Sequence, residues 1–465
     1  MRSKATSLAV AVAVAVVGLA ACYSVDFGPD GQFTCRNSDR CPEGFVCRAA
    51  VCVPEGTSAD ATVDGDAARP ADGDLGGPRD GDIGIDDTRP PDQAVPNVCA
   101  VAAGPVQVAS KLHVKGTYGV DFDRADGVMW VSFSRAAGSS DADASTLWTR
   151  RTRTNDPTSF EAEVKVGSQA APYSAIDGYK GSYVVVYPSE KGELGAAQAG
   201  GGTPTRVVSL DSRKGVTWVA ARDVPATNPQ LVHVAFAIEN EQELHALSVT
   251  RGSLALKDSA TLVDRVVAGA SNTVGRGLRM DSETLLNQPA VAISYFKANL
   301  LKANFDLVRA VRVTPTNWAT KSLDATRPGA QLEAGLAMSG GPHLAHSTRP
   351  NAPLSYISPA AITTDVSLSG TVPRNNAHAV IAANKTQQLI AFVDASGALQ
   401  VTARKPNGPW LGPVLVDNKG NKAETRVLDI NGGDVAGGKL RYVILWREKG
   451  VSEDNLLAAL LECTP

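Results

Sequence analysis

From position 181 to 187 the chain reads GSYVVVY, and a run of the same character returns about every fifty residues. One run precedes it, GVMWVSF (127–133), and five follow: LVHVAFA (231–237), AVAISYF (290–296), PHLAHST (342–348), QLIAFVD (388–394) and YVILWRE (442–448). Most are short, apolar and rich in β-branched or aromatic residues, the composition of a strand covered on both faces. A fixed period of this length is the signature of a repeat architecture.

Working outward from each run, a second one opens with Leu, as in LWTRRT at 147, LGAAQA at 194, LHALSV at 244, LLKANF at 300, LSYISP at 354, LQVTAR at 399 and LLAALL at 456. A third often closes on Val/Leu-Asp, as in TRVVSLD (205–211), SATLVD (259–264), WATKSLD (318–324) and LGPVLVD (411–417). Ahead of each anchor lies a further alternating segment, such as YGVDFD or NAHAVIAAN, joined to it by turn residues such as RADG, DGYKG or NGGDVAGGK. Beyond the N-terminal leader no segment keeps a 3.6-residue apolar beat for three turns, so helices are not expected. Four short strands per unit in seven units predict an all-β fold, a seven-bladed β-propeller.

The seventh unit is one strand short, because only Glu462-Cys463-Thr464-Pro465 follow LLAALL. Its missing outer strand is expected from the other end of the domain. GPVQVAS (104–110) parallels GPVLVDN (412–418), the outer strand of the sixth unit. Strand 104–110 should therefore lie antiparallel beside 456–462 and close the ring, leaving no open sheet edges at the seam. That closure brings Cys99 and Cys463 within the reach of a disulfide, about 4.4–6.8 Å between Cα atoms.

Export accounts for the remaining cysteines. Residues 1–21 combine Arg2 and Lys4 with a short apolar run, the form of a secretory signal peptide. Leu19-Ala20-Ala21-Cys22 resembles the lipobox of bacterial lipoproteins. The resemblance implies cleavage before Cys22, acylation of that residue with palmitate-type chains, and a lipid anchor in the outer membrane. Several buried acyl chains, at about 0.8 kcal/mol per CH₂, hold a protein stably on a bilayer. With Cys22 lipidated, six cysteines remain, an even number suited to an oxidising compartment. Cys35, Cys41, Cys47 and Cys52 crowd one short stretch within 22–54, which looks like the small EGF-like or knot-like disulfide modules of exported proteins. Pairing of Cys35 with Cys47 and Cys41 with Cys52 is one of three possible connectivities. Zinc is not expected there, since no His lies nearby and C-x₂-C spacing is absent.

Residues 55–97 change character: no aromatic residue, eleven acids against three arginines, and a net charge of −8. Such a segment cannot repay its ordering entropy and reads as a disordered spacer. Asp-Gly-Asp recurs at 64–66, 72–74 and 80–82. Calcium loops need about six or more oxygens, so only weak calcium binding would be expected and no cofactor is assigned. The remaining 98–465 carries a mild positive charge with no basic run, which speaks against nucleic acid as a partner.

The repeat architecture of the C-terminal domain is similar to the sialidase-like group of propellers, without that group's Ser-x-Asp-x-Gly-x-Thr-Trp box; Asp394-Ala-Ser-Gly397 shares only its turn. No catalytic residue carries over. His113, His233, His245, His343, His346 and His378 are scattered and are read as ordinary strand histidines, so no metal site is assigned. Trp318 and Trp410 stand at equivalent repeat positions and read as packing between blades. Two long loops, SRAAGSSDADAST and REKGVSEDN, should meet across the seam. They would gather Asp141, Asp143, Glu448, Glu453 and Asp454 on one rim, a candidate cation site or contact for a basic partner. The functional expectation is a monomeric, surface- or periplasm-facing binding module for protein or glycan. The alternative is a glycan-active hydrolase or lyase.

The lipid anchor is directly testable. Cys22→Ser should leave the precursor uncleaved and unlabelled by radioactive palmitate; normal labelling of that variant contradicts the assignment.

Overall fold

Two compact units divide the chain, residues 1–89 and 90–465. The computed structural model describes strands Phe45–Arg48 and Val51–Pro54 in the first unit and, apart from some loops, residues 99–464 in the second. The signal peptide, Cys22, Cys35, Cys41 and the acidic spacer with its Asp-Gly-Asp triplets lie outside the described residues. The first-unit strands form a hairpin whose register sets Cys47 opposite Cys52.

The second unit is all-β among the described residues, and its strands fall into seven antiparallel blades. Blade 1 comprises Gly119–Asp123, Val128–Ala136 and Ser145–Arg153, and blade 2 runs from Ala175–Tyr179 through Ser182–Pro188 and Leu194–Ala199 to Arg206–Asp211. Blades 3 and 4 span Val216–Asp223 to Ala255–Arg265 and Val274–Leu285 to Asn317–Ala325. Blades 5 and 6 span Ala334–Met338 to Thr363–Asp365 and Ala379–Ala383 to Val414–Asp417. Blade 7 is made of Arg426–Asp434, Leu440–Lys449 and Asp454–Cys463, with Cys99–Ser110 as its outer strand. In blade 1 the outer position is shared. Asp156–Phe160 and Val164–Gln169 pair with opposite ends of the third strand.

All seven apolar anchors are second strands, hydrogen-bonded on both edges. Their faces are covered too, because blades stack face to face. Val128–Ser134 and Val232–Ile238 are buried without alternation, whereas half of the outer strand Arg206–Asp211 is exposed. That double coverage explains why the anchors read as continuous apolar runs. Local turn chemistry agrees: Lys180 (φ 47°) and Gly181 (φ 72°) are both left-handed, as a two-residue type I′ hairpin requires.

The core is distributed around a ring. Seven apolar clusters each join residues of two successive blades, one for every interface among the described residues. The cluster that joins blades 7 and 1 contains Val108, Leu112, Val120, Phe133, Leu445 and Leu456. Val108, Phe133, Leu445 and Leu456 are fully buried, each worth about 1.5–3 kcal/mol relative to exposure. The N-terminal strand thus closes blade 7 through its backbone and seals the seam through its side chains.

Its register runs from Cys99 opposite Cys463 to Ser110 opposite Asn455, interrupted by bulges. At one of them Gly104 adopts φ 112°, and a Cβ there would lie 2.9 Å from the carbonyl oxygen of Ala458. The Cys99–Cys463 disulfide is present, with Cα atoms 3.9 Å apart. This is closer than the expected window, and the two residues are direct partners in the strand register.

Cross-linking across so long a loop should contribute about 3–5 kcal/mol. Replacing both cysteines by serine should lower the melting temperature by several degrees while preserving the far-ultraviolet strand spectrum. Truncation before Gln107 should do greater damage, because it also removes more than half of the outer strand's pairing with Asp454–Cys463. Equal melting temperatures for the truncated and intact chains would contradict this role.

Candidate functional site

The first strands of all seven blades converge on a small axial cavity of about 50 Å³, lined among others by Val120, Ile176, Arg222, Met280, Leu336, Ile381 and Asp429. It has room for a few waters and falls well short of the ~300–1,000 Å³ of a typical ligand pocket. Beside it the inner strands carry charge in a repeating arrangement. The Asp121 carboxylate accepts from the Gly178 amide of the next blade at 2.7 Å. Asp177 accepts from the Asp223 amide at 2.9 Å, and Asp281 from the Met338 amide at 2.7 Å. Between blades 3 and 4 the Ser282 hydroxyl donates to the Asp223 carbonyl instead. Across the seam, Asn431 donates to Asp121 at 2.8 Å. An inner-strand carboxylate thus staples one blade to the next. Gly178 is required at its position, since a Cβ would sit 2.2 Å from the Trp130 ring.

Two arginines tie the staples together. Arg222 of blade 3 reaches Asp121 of blade 1 at 2.5 Å and Asp281 of blade 4 at 3.4 Å. Burial alone would lower its pKa, but Asp121, Asp281, Asp429 and Asp177 outweigh that and hold the guanidinium charged. Arg251 pairs with the buried Asp177 and lies 3.4 Å from Asp223. Burial pushes Asp177 up, opposed by Arg251. Burial, together with the Asp177 and Asp121 charges, pushes Asp223 up to about 8. The crowded pair therefore keeps a proton at neutral pH.

The expected acidic rim has a different character where it is described. Asp141, Asp143 and Glu453 lie outside the described residues. Asp454 is buried, with its carboxylate 3.2 Å from Arg447 Nε, so it is an ion-pair partner inside blade 7 and not an open rim ligand. Glu448 stands opposite Asn455, its carboxyl raised by burial and by Asp417 of blade 6. All six histidines are buried. His233 and His378 are both driven down to about 3, burial being the main cause and neighbouring arginines the second. Trp318 and Trp410 pack on the clusters between blades 3 and 4 and between blades 5 and 6. Asp394 caps its turn, accepting from the Ser396 hydroxyl at 2.6 Å and the Ala398 amide at 3.0 Å.

Among the described residues one grouping brings three potential metal ligands within 4.8 Å of one another, Glu241, Glu243 and His245. A guanidinium already occupies the place a cation would take: Arg213 Nη1 lies 2.9 Å from His245 Nε2, which also faces Glu243 at 2.8 Å. The carboxylate staples escaped sequence reasoning. The available signal was the recurrence of Asp121, Asp177, Asp223 and Asp281 at nearly the repeat period, just ahead of successive anchors.

No protein-family profile and no curated protein matches the chain. Solved structures with a similar fold include a protein of unknown function from Dyadobacter fermentans, at 9% identity and TM-score 0.44 over 78% of this chain and 99% of that one. A fucose-specific lectin from Aleuria aurantia is similar at 11% identity and TM-score 0.35 over 62% and 94% of the two chains. Trypanosoma rangeli sialidase is similar at 10% identity and TM-score 0.42 over 76% of this chain and 55% of that one. The likeness is one of repeat architecture.

The axial charges make stability depend on pH in a definite direction. Asp223 binds its proton more tightly folded than unfolded, so its contribution weakens as pH rises from about 4 towards 8. His233 and His378 bind theirs less tightly folded, so their contribution is present above about 6.5 and lost as pH falls. The melting temperature should peak near pH 6.5. Asp223→Asn should shallow the decline on the alkaline side, by on the order of 2 kcal/mol at pH 8, the remainder coming from Asp177 and Asp429, which burial also raises. A variant with an unchanged alkaline limb contradicts the assignment.

Proposed function

We propose that this is an exported, lipid-anchored protein of the bacterial outer membrane whose propeller is a non-catalytic binding module for protein or glycan. The observation that carries this reading is the axis. Its carboxylates are held by backbone amides and arginines, Asp121 by Gly178, Asn431 and Arg222, and Asp177 by Asp223 and Arg251. Groups engaged in this way fix blade to blade, and the cavity beside them is too small for a sugar ring. Binding then falls to the outward surfaces of the blades and to the grooves between them. A lipid at Cys22 and the charged spacer of 55–97 would present those surfaces away from the membrane.

One feature favours the alternative, a glycan-active hydrolase or lyase: two carboxyls, Asp177 and Asp223, share the Arg251 guanidinium, and burial pushes both up. A single experiment separates the two. The purified protein is screened on a printed oligosaccharide array and against a membrane-protein extract, and every glycan hit is incubated and examined for cleavage products. Retention without products is the expected result for a glycan ligand. Products that disappear in Asp223→Asn would establish the alternative.

A further inference from the structure

Among the described residues, blade 5 has the shortest outer half of the seven. Its third and outer strands, Ser355–Ile357 and Thr363–Asp365, are far shorter than those of blade 4, Asn304–Thr314 and Asn317–Ala325. Hydrogen bonds locate the step this leaves. Ser358 donates to the Ile362 carbonyl at 3.0 Å, so blade 5 turns back at 358–362. Arg309 Nη1 donates to the Pro359 carbonyl of that turn at 2.9 Å. Blade 4 runs on from Arg309 to Thr314 before its own turn. Its outer strand packs against that of blade 3, and no comparable packing joins it to the outer strand of blade 5.

Packing partners show which side chains face the step. Val308 and Ala310 belong to the cluster shared with blade 3, whereas Leu307 and Val311 pack in the cluster shared with blade 5. Side chains alternate along a strand, so Arg309 also faces blade 5. Its direct cross-strand partner is Lys321, which is exposed and lies on the same face. Two cations thus stand side by side at the step.

Among the described residues no carboxylate pairs with either of them. Arg309 is held by the Pro359 carbonyl, and burial, with no acid to oppose it, keeps its pKa below the ordinary value. Asp365, on the outer strand of blade 5, is engaged with a partner of its own. Like charges set directly opposite each other destabilise a sheet, so the pair is better matched with an acid than without one. The step exposes apolar surface as well. Val313, near the end of the projecting strand, is 60% exposed, and Ile362 of the facing turn is 45% exposed.

We infer that the step between blades 4 and 5 is a docking surface for an acidic peptide segment of a partner protein. Its carboxylates meet Arg309 and Lys321, and an apolar side chain beside them covers Val313 and Ile362. Charge complementarity selects the acid. Aliphatic surface without an aromatic ring for a sugar to stack on selects a peptide over a glycan. The inference rests on the protein branch of the proposed function and gives it a place.

The test selects binders of the full-length protein from a phage-displayed library of random peptides. The strongest, synthesised with capped ends, is then titrated by calorimetry. Selected sequences should combine Asp or Glu with apolar residues, and binding should weaken as salt is raised. Lys321→Glu should weaken it about tenfold. Its melting temperature should hold or rise, because the like-charge pair is gone, which separates lost binding from lost folding. Val313→Asp should weaken binding in the same way. Lys257→Glu, the same change of charge on the outer strand of blade 3, should leave affinity unaltered. Peptides that tolerate both Lys321→Glu and Val313→Asp overturn the inference, as does a library that yields no acidic binder. The proposed function fails as well only if the oligosaccharide array and the membrane-protein extract are also blank. Array signals confined to acidic oligosaccharides and lost in Lys321→Glu would assign the step to a glycan and overturn the peptide reading.

Discussion

Everything in the C-terminal unit depends on the antiparallel pairing of Cys99–Ser110 with Asp454–Cys463. A ring of blades stacked face to face has no stable open form. The apolar faces of the first and last blades must meet each other or water. Here one strand solves both halves of the problem, completing the blade 7 sheet and placing Val108 and Leu112 in the cluster shared with blade 1. The Cys99–Cys463 disulfide then ties the two strands together at one end of that pairing, where the strand enters the domain.

The axis shows how the same ring is held from within. Propeller blades converge there, so backbone groups of different blades approach closely and side chains have little room. Glycine is needed where Trp130 crowds Gly178, and short carboxylates reach the next blade's amides. Collecting Asp121, Asp177, Asp223, Asp281 and Asp429 around one axis raises a repulsion that Arg222 and Arg251 offset only in part. Burial first, and that surplus second, push the Asp223 carboxyl up to about 8.

The fold was legible because its strongest signals are local and repeated. The anchors are continuous apolar runs since each second strand is covered on two faces, and GPVQVAS (104–110) resembles its counterpart at 412–418 since both close a blade. Site chemistry was less legible, for reasons of geometry. Asp121 and Arg222 lie 101 residues apart and meet only because blades 1 and 3 share an axis. Asp454 looked like a loop-rim carboxylate by its neighbours in sequence, but it begins a strand and turns to Arg447. Trp318 and Trp410 read alike as packing residues. What separates them is the partner across the blade interface: the Tyr356 ring lies against Trp410, whereas the small residues Ala246 and Ser248 lie near Trp318.

Ring closure by the N-terminal strand is the claim from which the rest follows, and a peptide map of the non-reduced protein tests it most directly. The account predicts one cross-linked pair containing Cys99 and Cys463, with Cys35, Cys41, Cys47 and Cys52 bonded only among themselves. Recovery of Cys99 or Cys463 as a free thiol, or joined to any of those four, would contradict it.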